Sequence, residues 1–399
     1  MAVGRAARLG VSSCHLHDRA PDAFDLRSAT GFEGWVLCSS LEFWAGLKGA
    51  GNAPFAETAN SQGTPLDNGT VRVSNIASLT ACYAQAAKPG EDQVSRDGEA
   101  RSHALRGWDY LESRCWSTIS GWPTALGFHG QVTDQCFTLE NQAQAITACA
   151  LIADLQNSDL PLTMAIRTMT LIDRNLRERG VPGWRTRTGS EARDLRSNLS
   201  YLAALLLLHT KTPSWQVKSH LDELAEVIAC EVKAMEERAD QGRSSWHAAV
   251  VENSFAGYSR DLNLFEVTGY ARAADLSGLP ALKDMQQKAL ARFSQEFSRA
   301  ASDARPGSLS KDQIAAACAA ICLACTPWNR SDYARDALHL GDELYRLLAH
   351  SLPAGSWQEH GPDDGTSAHA MHADTLAQLV RAALALETLA NRHDIESAT

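Results

Sequence analysis

The residues of this chain with chemistry to offer are scattered acids, a few histidines and one acid–thiol pair. Asp363 and Asp364 stand side by side in Gly361-Pro362-Asp363-Asp364-Gly365-Thr366. Two adjacent carboxyls facing one cavity would shift each other's pKa, which suits an acid catalyst. The plainer reading is a Pro-Asp-Asp-Gly turn leading into a helix. Asp134 and Glu140 lie nearly two turns apart and close to one helical face, and Glu266 and Tyr270 form an i, i+4 pair near a helix start. His369 and His372 share a face at i, i+3 spacing, while His129 and His247 are further candidate general bases. Aspartates recur where apolar helices begin (Asp134, Asp194, Asp261, Asp312, Asp374). Helix capping and the helix dipole explain that placement without catalysis; as a functional set, a subset would line a cavity mouth and supply the acid.

The elements that must position these groups come from an internal repeat. A small residue precedes tryptophan at Gly121-Trp122, Gly183-Trp184, Ser245-Trp246 and Ser356-Trp357, the first three 62 residues apart. Each unit ends in an apolar, Ala- and Leu-rich segment with helical spacing: Asn141 to Leu155, Leu195 to His209, Leu262 to Ala274, Asp312 to Cys325 and His372 to Leu389. A poorer early copy runs from Val71 to Ala86. Helices apolar on nearly all sides are buried on all sides. Six units of about 50 to 60 residues, each an outer amphipathic helix, a turn and an inner apolar helix, predict an all-α (α/α)6 toroid with a central cavity. An open solenoid would need polar capping repeats, and the last helix is strongly apolar. Residues 1–32 read as an irregular N-terminal arm and 33–399 as a single toroid domain, with Ala53 to Thr70 a long loop.

Composition narrows the function classes. The 399 residues are 44% hydrophobic and 21% charged, the profile of a globular chain with a large core. A net charge of -10 without a Lys/Arg stripe excludes nucleic acid as a partner. No apolar run approaches the roughly 18 residues of a membrane span, and Met1 to Cys14 has no apolar signal segment. The ten cysteines are scattered, several in apolar helices (Cys149, Cys230, Cys318, Cys322), which points to small buried hydrophobes in a reduced, cytoplasmic setting. The tryptophans of the turns brace the two layers. Trp44, Trp116 and Phe128, with Trp108, are the aromatic candidates for lining a cavity.

The repeat resembles the QW repeat of squalene/hopene cyclases and the related protein prenyltransferase repeat. Arg106-Gly107, Tyr110-Leu111 and Gly121-Trp122 carry the likeness, with Cys115 where the glutamine usually stands; Leu347-Leu348 with Gly355-Ser356-Trp357-Gln358 is a second copy. The likeness spans Glu42 to Leu389 and implies the toroid. In class II cyclases it also implies an Asp-x-Asp-Asp acid in an aromatic-lined dry cavity, where ring faces stabilise a carbocation. This chain lacks that motif, and Asp363-Asp364 is its nearest match; the class I Asp-Asp-x-x-Asp is absent too. A second, local resemblance links Gly127-Phe128-His129-Gly130 and Asp134-Gln135-Cys136-Phe137-Thr138 to the prenyltransferase β-subunit. It implies zinc on Asp134, Cys136 and His372 with one open position. A helix N-cap at Asp134 with a buried Cys136 is the competing reading.

The expectation is therefore a terpene-cyclase-like enzyme without a metal cofactor, acting on a small apolar, isoprenoid-type substrate. Its acid would come from Asp363, Asp364, Asp134 or Glu140, with Trp44, Trp116, Phe128, Glu266, Tyr270 and His369 around the substrate. The alternatives are a zinc-dependent prenyltransferase-like enzyme and a non-catalytic toroid that binds a lipid or peptide. Carbohydrate-active enzymes also use helical toroids, typically with two facing acids. Nothing in the sequence speaks to oligomeric state.

Overall fold

Apolar helices packed on apolar helices organise the chain in the computed structural model, which describes residues 31–49, 52–60, 62–66, 69–87, 94–193, 195–240, 309, 311–325, 331–349, 357 and 370–398. A helical rod comes first: α1 (Gly31–Gly34), a π-helical stretch (Trp35–Ser40) and α2 (Leu41–Ala45). Then come β1 (Thr58–Asn60), β2 (Thr70–Arg72), α3 (Val73–Ala86) and α4 (Val94–Tyr110), which ends in a π-helical turn. The hairpin β3 (Ala125–Gly127) and β4 (Val132–Asp134) leads to α5 (Leu139–Gln156), α6 (Leu160–Leu176), α7 (Leu195–Lys211) and α8 (Trp215–Asp240). Beyond them are α9 (Lys311–Ala324), α10 (Ser331–Leu348), β5 (Ala370–His372) and α11 (Ala373–Ala398).

Two layers follow from the residue patterns. Helix α5 buries residues on every side, including Leu139, Ala143, Cys149, Ile152 and Leu155, so it must be enclosed. Helix α6 buries one side (Met164, Ala165, Thr168, Met169, Leu171, Ile172, Leu176) and exposes Thr163, Arg167, Thr170 and Arg174 on the other, as an outer helix does. Among the described residues α3 packs on α5, α5 on α7, and α9 on α11, while α4, α6, α8 and α10 each cover the inner helix before them. Helix α11 packs back on α3, joining the last inner helix to the first. That seam closes the ring, and the fold is the expected all-α toroid. The rod α1–α2 sits outside the seam, with Phe32 fully buried near Gly341 on α10. The repeat units read at Trp246 and Leu262 to Ala274 lie outside the described residues.

The tryptophan turns tie the layers together. Gly121 and Gly183 adopt φ of 72° and 76°, a region open to glycine, and so place the following tryptophan inward. The Trp122 N–H donates to Gln142 Oε1 (3.3 Å), and Gln142 Nε2 donates to the Trp122 carbonyl (2.7 Å). Asn198 clamps Trp184 in the same two-way manner (3.1 and 3.0 Å). Gln142 and Asn198 occupy the same place, one turn into α5 and α7, so the repeat rests on an amide as well as on an indole. Both indole N–H groups donate to the outer helix α6, from Trp122 to Thr168 (3.0 Å) and from Trp184 to Asp173 (3.1 Å). Gly107 has its own reason: a Cβ there would strike Thr80 and Phe55, so a small residue lets α4 approach α3.

Most of the described cysteines, Cys82, Cys115, Cys149, Cys318 and Cys325, are buried in the core. Burial pushes the thiols of Cys82 and Cys115 up to about 11 and about 12, and those of Cys149 and Cys318 are raised too. Cys38 is exposed. Iodoacetamide at pH 8 is expected to alkylate Cys38 in the native protein and to reach Cys82, Cys115 and Cys149 only after denaturation, because the thiolate is the nucleophile. Peptide mass spectrometry reads this directly, and native labelling of Cys149 would contradict the packing of α5. No helix among the described residues is long and apolar enough to cross a membrane.

Candidate functional site

Short strands stand at the end of the ring where the inner helices begin. β1 pairs antiparallel with β5, and β2, β3 and β4 form a second antiparallel sheet. Strands β2 and β5 run directly into α3 and α11, so their last residues are set at the mouth of the ring. Side chains alternate across a strand, and this decides their direction. Met371 is fully buried and its sulfur accepts the Trp357 N–H (3.3 Å), so that face of β5 belongs to the core. Its pairing partner Ala59 is equally buried. His372 and its partner Thr58 are half-buried on the opposite face, which turns them to the mouth.

Glu57 locks this corner. Its carbonyl accepts the N–H of Ala373, the first residue of α11 (2.9 Å), and its carboxylate accepts the N–H of Arg72, just before α3. One residue thus spans the starts of two neighbouring inner helices. The exposed Arg72 side chain stands at the same corner. This corner therefore sets His372 on β5, Arg72 on β2 and Glu57 just before β1 around the starts of α3 and α11.

Deeper in, the inner helices α11 and α5 each show a partly exposed stripe that carries polar residues. On α11 it runs Asp374, Gln378, Arg381 and Ala385, and on α5 it runs Glu140, Gln144 and Thr147. Arg381 Nη2 donates to Gln144 Oε1 (3.2 Å), which also accepts from Ser78 Oγ on α3 (3.1 Å). Helix α3 lies between α11 and α5, and α4 covers its outer side. A side chain reaching from α11 to α5 must therefore cross the inward face of α3. This geometry puts Arg381, Gln144 and Ser78 inside the ring.

The structure treats the expected site residues unevenly. Asp134 is exposed at the end of β4, where its Oδ1 accepts the Cys136 N–H (2.8 Å). It is not the cap of α5: the chain stays non-helical through Phe137, and Thr138 caps the helix, its Oγ1 accepting from Asn141 N–H (3.4 Å). Cys136 is half-buried rather than buried. Asp134 and Cys136 belong to the β2–β3–β4 side and His372 to the β1–β5 pair, and no group of three or more His, Cys, Asp or Glu among the described residues is placed to hold a metal ion. Glu140 sits on the lumen stripe of α5, one turn above Gln144. Trp44 is fully buried, stacked on Trp357 at 5.6 Å with its indole N–H donated to the Ala56 carbonyl (3.2 Å), so it is core and not a lumen wall. Trp116 packs half-buried on Trp122 (4.8 Å). Phe128 is exposed on the β3–β4 hairpin, edge-on to His129 beside a pocket of about 540 Å³ with Tyr110 and Arg114. Asp363, Asp364, Glu266, Tyr270 and His369 lie outside the described residues.

Sequence reading missed Glu57, Arg72, Ser78, Gln144 and Arg381. The signal available was modest: Gln144 and Arg381 are polar residues inside stretches that are otherwise Ala and Leu. A groove of about 1300 Å³ between α6 and α8 has more charge, several of its groups paired: Arg177 with Glu223, and Arg193 with Glu178 at 2.6 Å.

No protein-family model matches the chain, and no curated protein matches it in sequence. Its backbone is similar to cellobiose 2-epimerase from Spirochaeta thermophila, at 13% identity over 90% of this chain and 96% of that one, with a TM-score of 0.65. It is similar to a D-mannose isomerase at 15% identity over 92% and 99%, with a TM-score of 0.67. The GH76A alpha-1,6-mannanase from Salegentibacter sp. HEL1_6 matches at 11% over 90% and 98%, with a TM-score of 0.54. The shared fold is the (α/α)6 toroid. These likenesses correct the expected function and ligand: the toroid is that of proteins acting on sugars, and the terpene-cyclase reading with its small apolar isoprenoid substrate falls. The inner stripes of α5 and α11 carry carboxylate, amide, hydroxyl and guanidinium groups, whereas carbocation chemistry needs aromatic faces.

Proposed function

We propose that the chain is a sugar isomerase or epimerase that moves a proton on the carbon beside the carbonyl of a reducing saccharide, with His372 as the group that carries it. In the open-chain aldose the carbonyl acidifies the C2–H bond. A base takes that proton and leaves an enediolate. Return of the proton to the other face of C2, turned toward the same base by rotation about C2–C3, gives the epimer, and return to C1, with the C1 oxygen protonated and the C2 oxygen as carbonyl, gives the ketose. No atom or electron is gained or lost, so proton transfer alone suffices and no redox cofactor is required.

The reaction asks for a group that accepts and releases a proton near neutral pH, and histidine is suited to that. Arg72 would face the charge that develops on the enediolate oxygen. Glu57 would act as a positioning residue, holding the start of α3 against the start of α11. Glu140 and Asp374 would receive the sugar hydroxyls. One observation carries the reading: alternation in β5 turns His372 away from the core at the mouth of a toroid similar to a cellobiose 2-epimerase and a mannose isomerase.

The full chain incubated in D2O with glucose, mannose and cellobiose, followed by proton NMR, tests this. The expected result is loss of the C2 proton signal together with appearance of an epimer or ketose. Cleavage of an α-mannan oligosaccharide, with all three reducing sugars left unexchanged, would replace it by a hydrolase reading.

A further inference from the structure

We propose that Arg381, Gln144 and Ser78 form an anion site on the floor of the lumen, which takes the carboxylate or phosphate of a charged saccharide. The saccharide half of this statement rests on the sugar reading above; the anion half rests on the lumen itself.

Three helices converge on one guanidinium. Gln144 Oε1 accepts both from Arg381 Nη2 (3.2 Å) and from Ser78 Oγ (3.1 Å), so the cation is held across α11, α3 and α5. Gln144 occupies one donor of a planar group that has five. Among the described residues no carboxylate pairs with Arg381. Its charge is nevertheless felt locally, since it partly offsets the burial that raises the Cys82 thiol on α3. A guanidinium held between three inner helices with donors to spare is matched by an anion that accepts two of them side by side.

Depth fits a substrate tail. Arg381 is eight residues into α11, and Gln144 and Ser78 are five into α5 and α3, so the belt lies about 8 to 12 Å below the helix starts at about 1.5 Å per residue. That is the length of a hexose carrying one extra group. The acids of the same stripes, Glu140 and Asp374, stand above it near the mouth. A saccharide would therefore lie with its reducing end at His372 and its charged end on Arg381, since the mouth acids repel an anion that the floor attracts.

Titration calorimetry of the full chain at low salt tests the site with four probes: inorganic phosphate, a hexose 6-phosphate, a hexuronate and the neutral hexose. Charged sugars are expected to bind at least about tenfold tighter than the neutral hexose, and the preference should shrink with added salt. The stronger of the phosphate and carboxylate arms identifies the source of the charge. Arg381→Met should abolish the preference while leaving the neutral hexose unchanged, and Arg381→Lys should keep part of it. Gln144→Leu, which retains the cation but frees it, should weaken the preference severalfold and guards against a fold defect in Arg381→Met. Equal affinity for charged and neutral sugars, or a preference that survives Arg381→Met, overturns the site. Anion binding that depends on Arg381 without any C2–H exchange would remove the catalytic reading and leave the site standing.

Discussion

His372→Asn is expected to lower turnover of the responsive sugar by about 10²- to 10⁴-fold, the usual worth of a positioned general acid–base group. The substitution is chosen to leave the architecture alone. Asparagine keeps the backbone pairing with Thr58, and Met371, which anchors β5 to Trp357, is untouched. The loss should therefore fall on kcat, with the melting temperature and sugar affinity little changed, and C2–H exchange in D2O should vanish in parallel. Arg72→Gln should lower kcat by about 10²- to 10³-fold if the guanidinium stabilises a developing oxyanion. The two losses should combine to less than their product, because each residue serves the same enediolate. Wild-type turnover in His372→Asn would sink the assignment, and a variant that merely unfolds would show itself in the melt.

How much of this was legible beforehand depends on the range of the interaction. Helix α7 begins at Leu195, where its apolar spacing placed it, and α5 extends only slightly beyond its apolar segment, because burial on all sides writes itself into consecutive residues. The Gly-Trp turns were visible for the same reason. The site was not. The direction of His372 depends on pairing β5 with β1, a partner more than three hundred residues earlier, and three-residue strands leave no periodic trace. The convergence of Arg381, Gln144 and Ser78 exists only once the ring closes α11 onto α3.

The terpene-cyclase expectation failed at a particular point. Trp44 and Trp108 were expected to line a cavity, but both are consumed by packing with essentially no exposure, as are the turn tryptophans Trp122, Trp184 and Trp357. What remains for the inner stripes of α5 and α11 is carboxylate, amide and guanidinium. A helix with an apolar majority still presents its few polar residues to the lumen if they fall one per turn, as Asp374, Gln378 and Arg381 do. Hydrophobic content fixes which helices are inner; the minority residues decide what they face.

The same accounting gives the largest stability effect. Trp184→Ala is expected to destabilise the protein by about 3–5 kcal/mol, the range for removing a large buried aromatic. Trp184 stacks edge-on against Tyr201 (5.2 Å), packs on His220 (5.0 Å) and lies under the Arg177 guanidinium (5.5 Å). Its indole N–H donates to Asp173 Oδ1 (3.1 Å), while Asp173 Oδ2 lies 3.0 Å from His220 Nε2 and Tyr201 Oη lies 2.8 Å from His220 Nδ1. Burial works against the Asp173 carboxylate, but the hydrogen bonds from His220 and Trp184 and the charge of Arg177 outweigh it and hold the carboxyl below its ordinary 3.8. A carboxyl depressed in the folded state stabilises above its unfolded value and stops doing so as pH falls through the folded one. Trp184→Phe isolates that share: it keeps a ring in the turn, loses the donor, and should cost about 1.5–3 kcal/mol at pH 7, as expected for a hydrogen bond to a charged group. Its deficit should narrow below about pH 4, where the unfolded carboxyl takes up its proton, and the part of the Trp184→Ala loss that comes from packing should persist. Urea midpoints at pH 7 and in mild acid read both variants. A phenylalanine variant as stable as the parent at pH 7 would mean that the indole donor adds nothing, and that the turn is held by shape and by the Asn198 clamp alone.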